Sequence, residues 1–91
     1  MSKTGYLRET KYAGLISEGI LEFADQQELR VERLHIKNRG TQEIRFSWWK
    51  NGGIIPRPMD ATEDELINLF NKGIRAGVFT PNFCQRLKQL L

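Results

Sequence analysis

Residues Gln42–Pro58 restrict the fold more than any other stretch of this chain. Glu43–Trp49 alternates, with Ile44, Phe46 and Trp48 on one side of an extended backbone and Glu43, Arg45, Ser47 and Trp49 on the other. The first set is the expected core face. Asn51-Gly52 follows at once, a pair suited to the positive φ angles of a tight hairpin, and Gly53 extends the turn. Ile54–Met59 is then expected to return as a strand. Pro56 and Pro58 have the same parity, so both missing N–H groups fall on one side. That side cannot pair regularly, which places the strand at a sheet edge.

Upstream, Leu29–Ile36 is expected to be a strand whose apolar residues change parity between Val31 and Leu34. A bulge near Glu32–Arg33, or a strand covered on both faces, accommodates the change. Lys37-Asn-Arg-Gly40 is a turn, and Asp25-Gln-Gln-Glu28 a polar connection. Residues Lys11–Phe23 fit two descriptions. As a helix, Tyr12, Leu15, Ile16, Gly19, Ile20 and Phe23 share one face, but two interior glycines each cost about 1 kcal/mol relative to Ala. As strands, Tyr12–Ile16 and Ile20–Phe23 flank a Ser17-Glu18-Gly19 turn. Residues 1–10 are polar and expected to be loosely held.

Downstream the signals are helical. Thr62 and Glu65 make a capping box, and Glu63, Asp64 and Glu65 suit the positive end of the helix dipole. Leu66, Ile67, Leu69, Phe70 and Ile74 form an apolar stripe, and Gly77 is placed to end the helix. Thr80-Pro81 is an N-cap followed by proline at the first helical position, with Phe83, Cys84, Leu87, Leu90 and Leu91 as the apolar side of a second helix. The expected architecture is one α+β domain over residues 1–91. It comprises an antiparallel sheet of about four strands across residues 12–59, followed by two C-terminal helices across residues 62–91.

Few chemistries fit these residues. Cys84 is the only cysteine, so no internal disulfide forms, and a small apolar filler is its expected role. One histidine, His35, and three serines, Ser2, Ser17 and Ser47, leave few ways to assemble a hydrolytic triad, and His35 is expected at the sheet surface. No His or Cys pair has metal-ligand spacing. Helix capping accounts for the acids Asp60, Glu63, Asp64 and Glu65, and a hairpin accounts for Gly52-Gly53. The expectation is a protein that is not an enzyme, with no cofactor and no metal. No apolar run approaches the ~20 residues of a membrane span, and the start lacks the apolar core of a signal peptide, so a cytoplasmic location is expected.

Charge points toward binding. The net charge is +3, but Leu29–Met59 alone carries seven basic residues against Glu32 and Glu43. Basic residues beside tryptophan are how proteins hold phosphates while stacking single-stranded bases. The candidate contact residues are Arg30, Arg33, Lys37, Arg39, Arg45, Trp48, Trp49, Lys50 and Arg57. Alternation selects Trp49 as the exposed indole and Trp48 as the core one.

Glu43-Ile-Arg-Phe-Ser-Trp48 resembles the acidic-Ile-Arg-x-x-Trp strand of the positive-cofactor-type transcriptional coactivators and their small bacterial and phage relatives, which bind single-stranded DNA. Gly14-Leu-Ile-Ser-Glu18 is similar to an early strand of the bacterial relatives, and Thr62-Glu-Asp-Glu-Leu66 to the start of their helix. The resemblance spans about residues 12–75. It implies a curved four-stranded sheet backed by a helix, a homodimer, and a face that meets single-stranded DNA. Arg45 and Trp48 match the strand motif, and Lys37 and Arg39 loosely match basic hairpin positions. It also favours strand for Tyr12–Ser17. Ile54-Ile-Pro-Arg-Pro58 replaces the family's Lys/Gly-rich approach to its last strand, and the helix from Pro81 is additional. The family motif selects Trp48 where alternation selects Trp49.

Two functions are therefore expected to compete. The first is single-stranded DNA or RNA binding through a basic, Trp-bearing sheet face. The second is a protein–protein interaction module, an adaptor or inhibitor of the kind that phage or mobile elements carry. A homodimer is expected, and a third possibility is a symmetric structural subunit in which the apolar Ile54-Ile55 beside an edge strand pairs across a two-fold axis.

Overall fold

The computed structural model describes residues 5–91. Five strands come first: β1 (Arg8–Glu9), β2 (Ala13–Glu22), β3 (Gln27–Ile36), β4 (Thr41–Lys50) and β5 (Gly53–Ile55). Two helices follow, α1 (Glu63–Arg75) and α2 (Pro81–Leu90). The strands form one antiparallel, curled sheet in sequence order, β1-β2-β3-β4-β5. The fold is thus α+β, with the sheet first and two C-terminal helices after it, as the sequence leads one to expect.

Local chemistry sets the turns. Asn51 (φ 52°) and Gly52 (φ 79°) close the β4–β5 hairpin as a two-residue loop between Lys50 and Gly53. Asp25 (φ 61°) and Gln26 (φ 58°) turn the β2–β3 hairpin, and Phe23 N–H donates to Gln27 O at 2.8 Å.

Several expectations need correction. Residues 13–22 form one continuous strand, so neither the helix nor the Ser17-Glu18-Gly19 turn is present. The irregularity is not in β3, which pairs with β4 without interruption. It lies across from Arg33–Leu34, where Leu15 pairs with Leu34 and Ser17 with Arg33, leaving Ile16 as the extra residue of β2. This lets Leu15 join Leu34 on one face while Leu21 stays with Leu29 on the other. β3 is also covered on both sides, since the four consecutive residues Leu29–Glu32 are all buried. The return strand stops at Ile55, before Pro56, instead of reaching Met59. Of the expected loose segment 1–10, residues 1–4 lie outside the described residues. Arg8 and Glu9 pair with Leu15 and Gly14.

α1 packs on β2 and β3. The contact is close because two glycines meet there: a Cβ on Gly19 would lie 2.6 Å from Gly73 N, and one on Gly73 would lie 2.9 Å from Val31 Cγ1. The core comprises Leu29, Val31, Leu69, Val78 and Phe79, with Leu21, Trp48, Met59, Phe70 and Cys84 packed against it. An aromatic chain, Phe46–Phe70–Phe79–Phe83, links β4 to α2 with ring centroids 5.7, 5.1 and 5.3 Å apart.

The caps are as expected. Glu65 N–H donates to Thr62 Oγ1 at 3.1 Å, and Thr62 N–H donates to Glu65 Oε1 at 2.9 Å. Gly77 (φ 76°) ends α1, with its N–H on Ile74 O and the Val78 N–H on Gly73 O, a complete Schellman motif. Thr80 caps α2. The expected α1 stripe divides, however. Leu69 is fully buried and Phe70 half-buried, whereas Leu66, Ile67 and Ile74 are exposed. Ile44 and Phe46, though on the helix side of β4, are exposed as well, because α1 crosses β2 and β3 rather than β4.

Candidate functional site

The sheet presents one face to the helices and leaves the other open. Strand register assigns Arg8, Glu18, Glu22, Glu28, Arg30, Glu32, Glu43, Arg45, Ser47 and Trp49 to the open face. Three arginines thus stand among five glutamates. The face is an ion-pair lattice rather than a positively charged track.

Glu32 is its centre. It is 1% exposed although no described helix covers it, because the curled sheet and the long side chains of its neighbours enclose it. Arg45 Nε and Nη2 both lie 2.9 Å from Glu32 Oε1, Ser47 Oγ donates to the same oxygen at 3.3 Å, and Arg8 Nη2 lies 3.7 Å from Oε2. A buried carboxylate needs such partners. Arg30, itself buried, donates through Nη2 to Glu28 Oε1 at 3.0 Å, and its Nη1 is 3.6 Å from Glu18 Oε2. Its guanidinium carbon lies over the Trp49 ring, 3.9 Å from the centroid, and that of Arg8 lies 5.6 Å away. The Trp49 indole N–H donates to Ser47 Oγ at 2.8 Å. Trp49 is half-buried, with Arg30 on its π surface.

The other candidate contact residues are dispersed. Arg33 lies on the helix side, donating through Nε to Val78 O at 2.7 Å and through Nη1 to Gln42 Oε1 at 2.8 Å. There it fastens the α1–α2 connection to the sheet. Lys37 and Arg39 are at the β3–β4 turn, paired with Glu9 and Glu43 respectively. Trp48 faces the core, and its indole N–H donates to Gln27 Oε1 at 3.2 Å. Lys50 is exposed at the opposite end of β4. Arg57 borders a cleft of about 630 Å³ with Phe23, Trp48 and Pro58. So Arg30, Arg45 and Trp49 share the open face, and Arg33, Lys37, Arg39, Trp48, Lys50 and Arg57 do not join them. Sequence reasoning missed Arg8, Glu18 and Glu32 as their partners, because these come from other strands.

His35 is half-buried and hydrogen-bonded through Nδ1 to the Tyr6 hydroxyl, where a surface position was expected. Cys84 is half-buried and packs on the core. Among the described residues, no group of three or more His, Cys, Asp or Glu side chains is placed to hold a metal ion. Nor is any helix among the described residues long and apolar enough to cross a membrane.

The second notable surface lies between α1 and α2. A groove of about 610 Å³ is lined by Leu66, Ile67, Phe70, Ile74, Leu87 and Leu91, with Glu63, Asn68 and Asn71 along it. Ile67 is 68% exposed and Ile74 52%, and seven residues of helix bring them to the same side two turns apart. Neither the exposed part of the α1 stripe nor this groove can be anticipated from periodicity, which marks a face as apolar without showing what covers it.

Comparisons with protein-family models, with curated proteins and with solved structures return no match for this chain. Function has to be argued from the two surfaces.

Proposed function

We propose that the chain is a non-enzymatic protein-interaction module, acting in the cytoplasm, whose contact surface is the apolar groove between α1 and α2. One observation carries this: Ile67 and Ile74, large aliphatic side chains on an ordered and well-capped helix, project into solvent beside a groove lined by further apolar residues. Contiguous exposed apolar surface of this kind is where soluble domains meet a partner, and an amphipathic helix laid in such a groove is a common form of the contact.

The test is capture from a nuclease-treated native lysate that also contains a differently tagged copy of the chain. Wild type is expected to retain a protein partner, Ile67→Asp to lose it, and Trp49→Ala to keep it. Capture that depends on Trp49 and not on Ile67, or that nuclease abolishes, overturns the proposal.

A second function, single-stranded nucleic-acid binding, is favoured by a separate observation. Trp49, Arg30 and Arg45 share the face that no helix covers, on a curled antiparallel sheet backed by a helix beginning at Thr62. A curled sheet backed by a helix is what the coactivator resemblance implies, but the tryptophan its motif selects, Trp48, faces the core, so only Trp49 is placed to stack a base. It requires bases to displace Arg30 from the Trp49 ring and phosphates to compete with Glu28 and Glu32 for the arginines. Tryptophan fluorescence during an oligonucleotide titration at low salt tests it directly, with quenching expected if bases stack on Trp49.

A further inference from the structure

Which protein fills the α1–α2 groove can be argued from the polarity of α1. Glu63 lines the start of the groove and Asp64 is beside it; Arg75 stands at the far end, its Nε donating to Asn71 Oδ1 at 3.3 Å along the same side. Helical spacing puts Asp64, Asn71 and Arg75 on one flank of the Ile67–Ile74 stripe. None of the charged residues Glu63, Asp64 and Arg75 is in an ion pair among the described residues. On the open face, by contrast, Arg8, Arg30, Arg45, Glu18, Glu28 and Glu32 all have ion-pair partners. The helix dipole alone favours acids first and bases last. It gives no reason for two exposed isoleucines between them.

An antiparallel copy of the same helix answers both features. Reversing α1 about a two-fold axis sets Ile67 of each copy against Ile74 of the other, because a two-turn spacing is unchanged by the reversal. The same operation brings the Glu63–Asp64 end of each copy to the Arg75 end of the other. A parallel copy would instead set acids against acids. A two-fold interface must be self-complementary, with residue i meeting j and j meeting i, and this stripe is. We infer that the α1–α2 groove is the interface of a symmetric homodimer in which the two α1 helices pack antiparallel. The inference rests on the groove being a protein-contact surface and names its occupant.

The measurement is sedimentation equilibrium of the full chain from about 1 to 500 μM, a range covering ordinary homodimer affinities. Wild type is expected to pass from monomer to dimer across it. Ile67→Asp, with unchanged circular dichroism, is expected to weaken dimerisation at least tenfold. Because that variant tests only the apolar stripe, a charge exchange tests orientation. Glu63→Lys with Asp64→Lys in one chain, and Arg75→Glu in another, are each expected to self-associate at least tenfold more weakly than wild type. Mixed in equal amounts, they are expected to recover association within threefold of wild type. Monomeric wild type at 500 μM overturns the inference, as does a dimer indifferent to Ile67→Asp or a mixture that recovers nothing. If wild type is monomeric and Ile67→Asp still releases another captured protein, the occupant is wrong and the interaction surface stands. If Ile67→Asp changes neither, both are wrong.

Discussion

Glu32 is a carboxylate at 1% exposure on a sheet face that no described helix covers, held by Arg45 and Ser47. Removing one member of a buried ion pair is costly when the other member stays buried. Here Arg45 is nearly half exposed and regains water, so most of the penalty falls on Ser47, which is buried and donates to the same oxygen. Glu32→Ala is therefore expected to destabilise the fold by about 1–3 kcal/mol, read from the urea midpoint, less than a fully buried pair would cost. Gly19→Ala is expected to cost as much or more, about 3 kcal/mol, because its Cβ would meet the Gly73 backbone at 2.6 Å and backbone cannot turn aside as a side chain can. Alternation along β4 puts Trp48 and Trp49 on opposite faces, since parity is a local property, but the exposed indole it leads one to expect at Trp49 is half-buried instead. It cannot show that Arg30 will lie on the Trp49 ring or that Glu32 will neutralise Arg45, because those neighbours come from β3 and are set by register.

Elements whose ends carry local chemistry were legible at those ends. Thr62, Glu65, Gly77, Thr80 and Pro81 bracket α1 and α2 where the sequence places them, because a cap needs only residues within one turn. Gly77→Ala is expected to destabilise by roughly 1–2 kcal/mol, as the new Cβ must sit at φ 76°, and the loss should appear as a lower thermal midpoint with native circular dichroism. β2 was not legible for the opposite reason. Its two glycines weakened every local assignment, and the purpose of Gly19 becomes visible only when Gly73 packs against it. The parity change in β3 likewise signals a mismatch between neighbouring strands, and local pattern cannot say which strand holds the extra residue. Register placed it at Ile16 of β2.

At the scale of the molecule, charge and apolar surface are segregated: the open face carries ion pairs, and the helical side carries exposed isoleucines and unpaired ends. This arrangement makes the ionic-strength dependence of any oligonucleotide binding diagnostic. A single-stranded ligand releases counterions in proportion to the phosphates neutralised, with a log–log slope of about −0.7 per phosphate. If Arg8, Arg30 and Arg45 are the only contacts, the slope is about −2. If all seven basic residues proposed from sequence form one track, it is about −5. The dispersed positions of Arg33, Lys37, Arg39, Lys50 and Arg57 lead us to expect the shallow value, or no binding, in a titration between 50 and 200 mM salt. A slope near −5 would mean that a strand wraps from the β3–β4 turn across the sheet to Arg57, and that Arg33 leaves Val78 to join it. Such a result would move the functional surface from the helices to the sheet, because no other contact in the fold brings those side chains together.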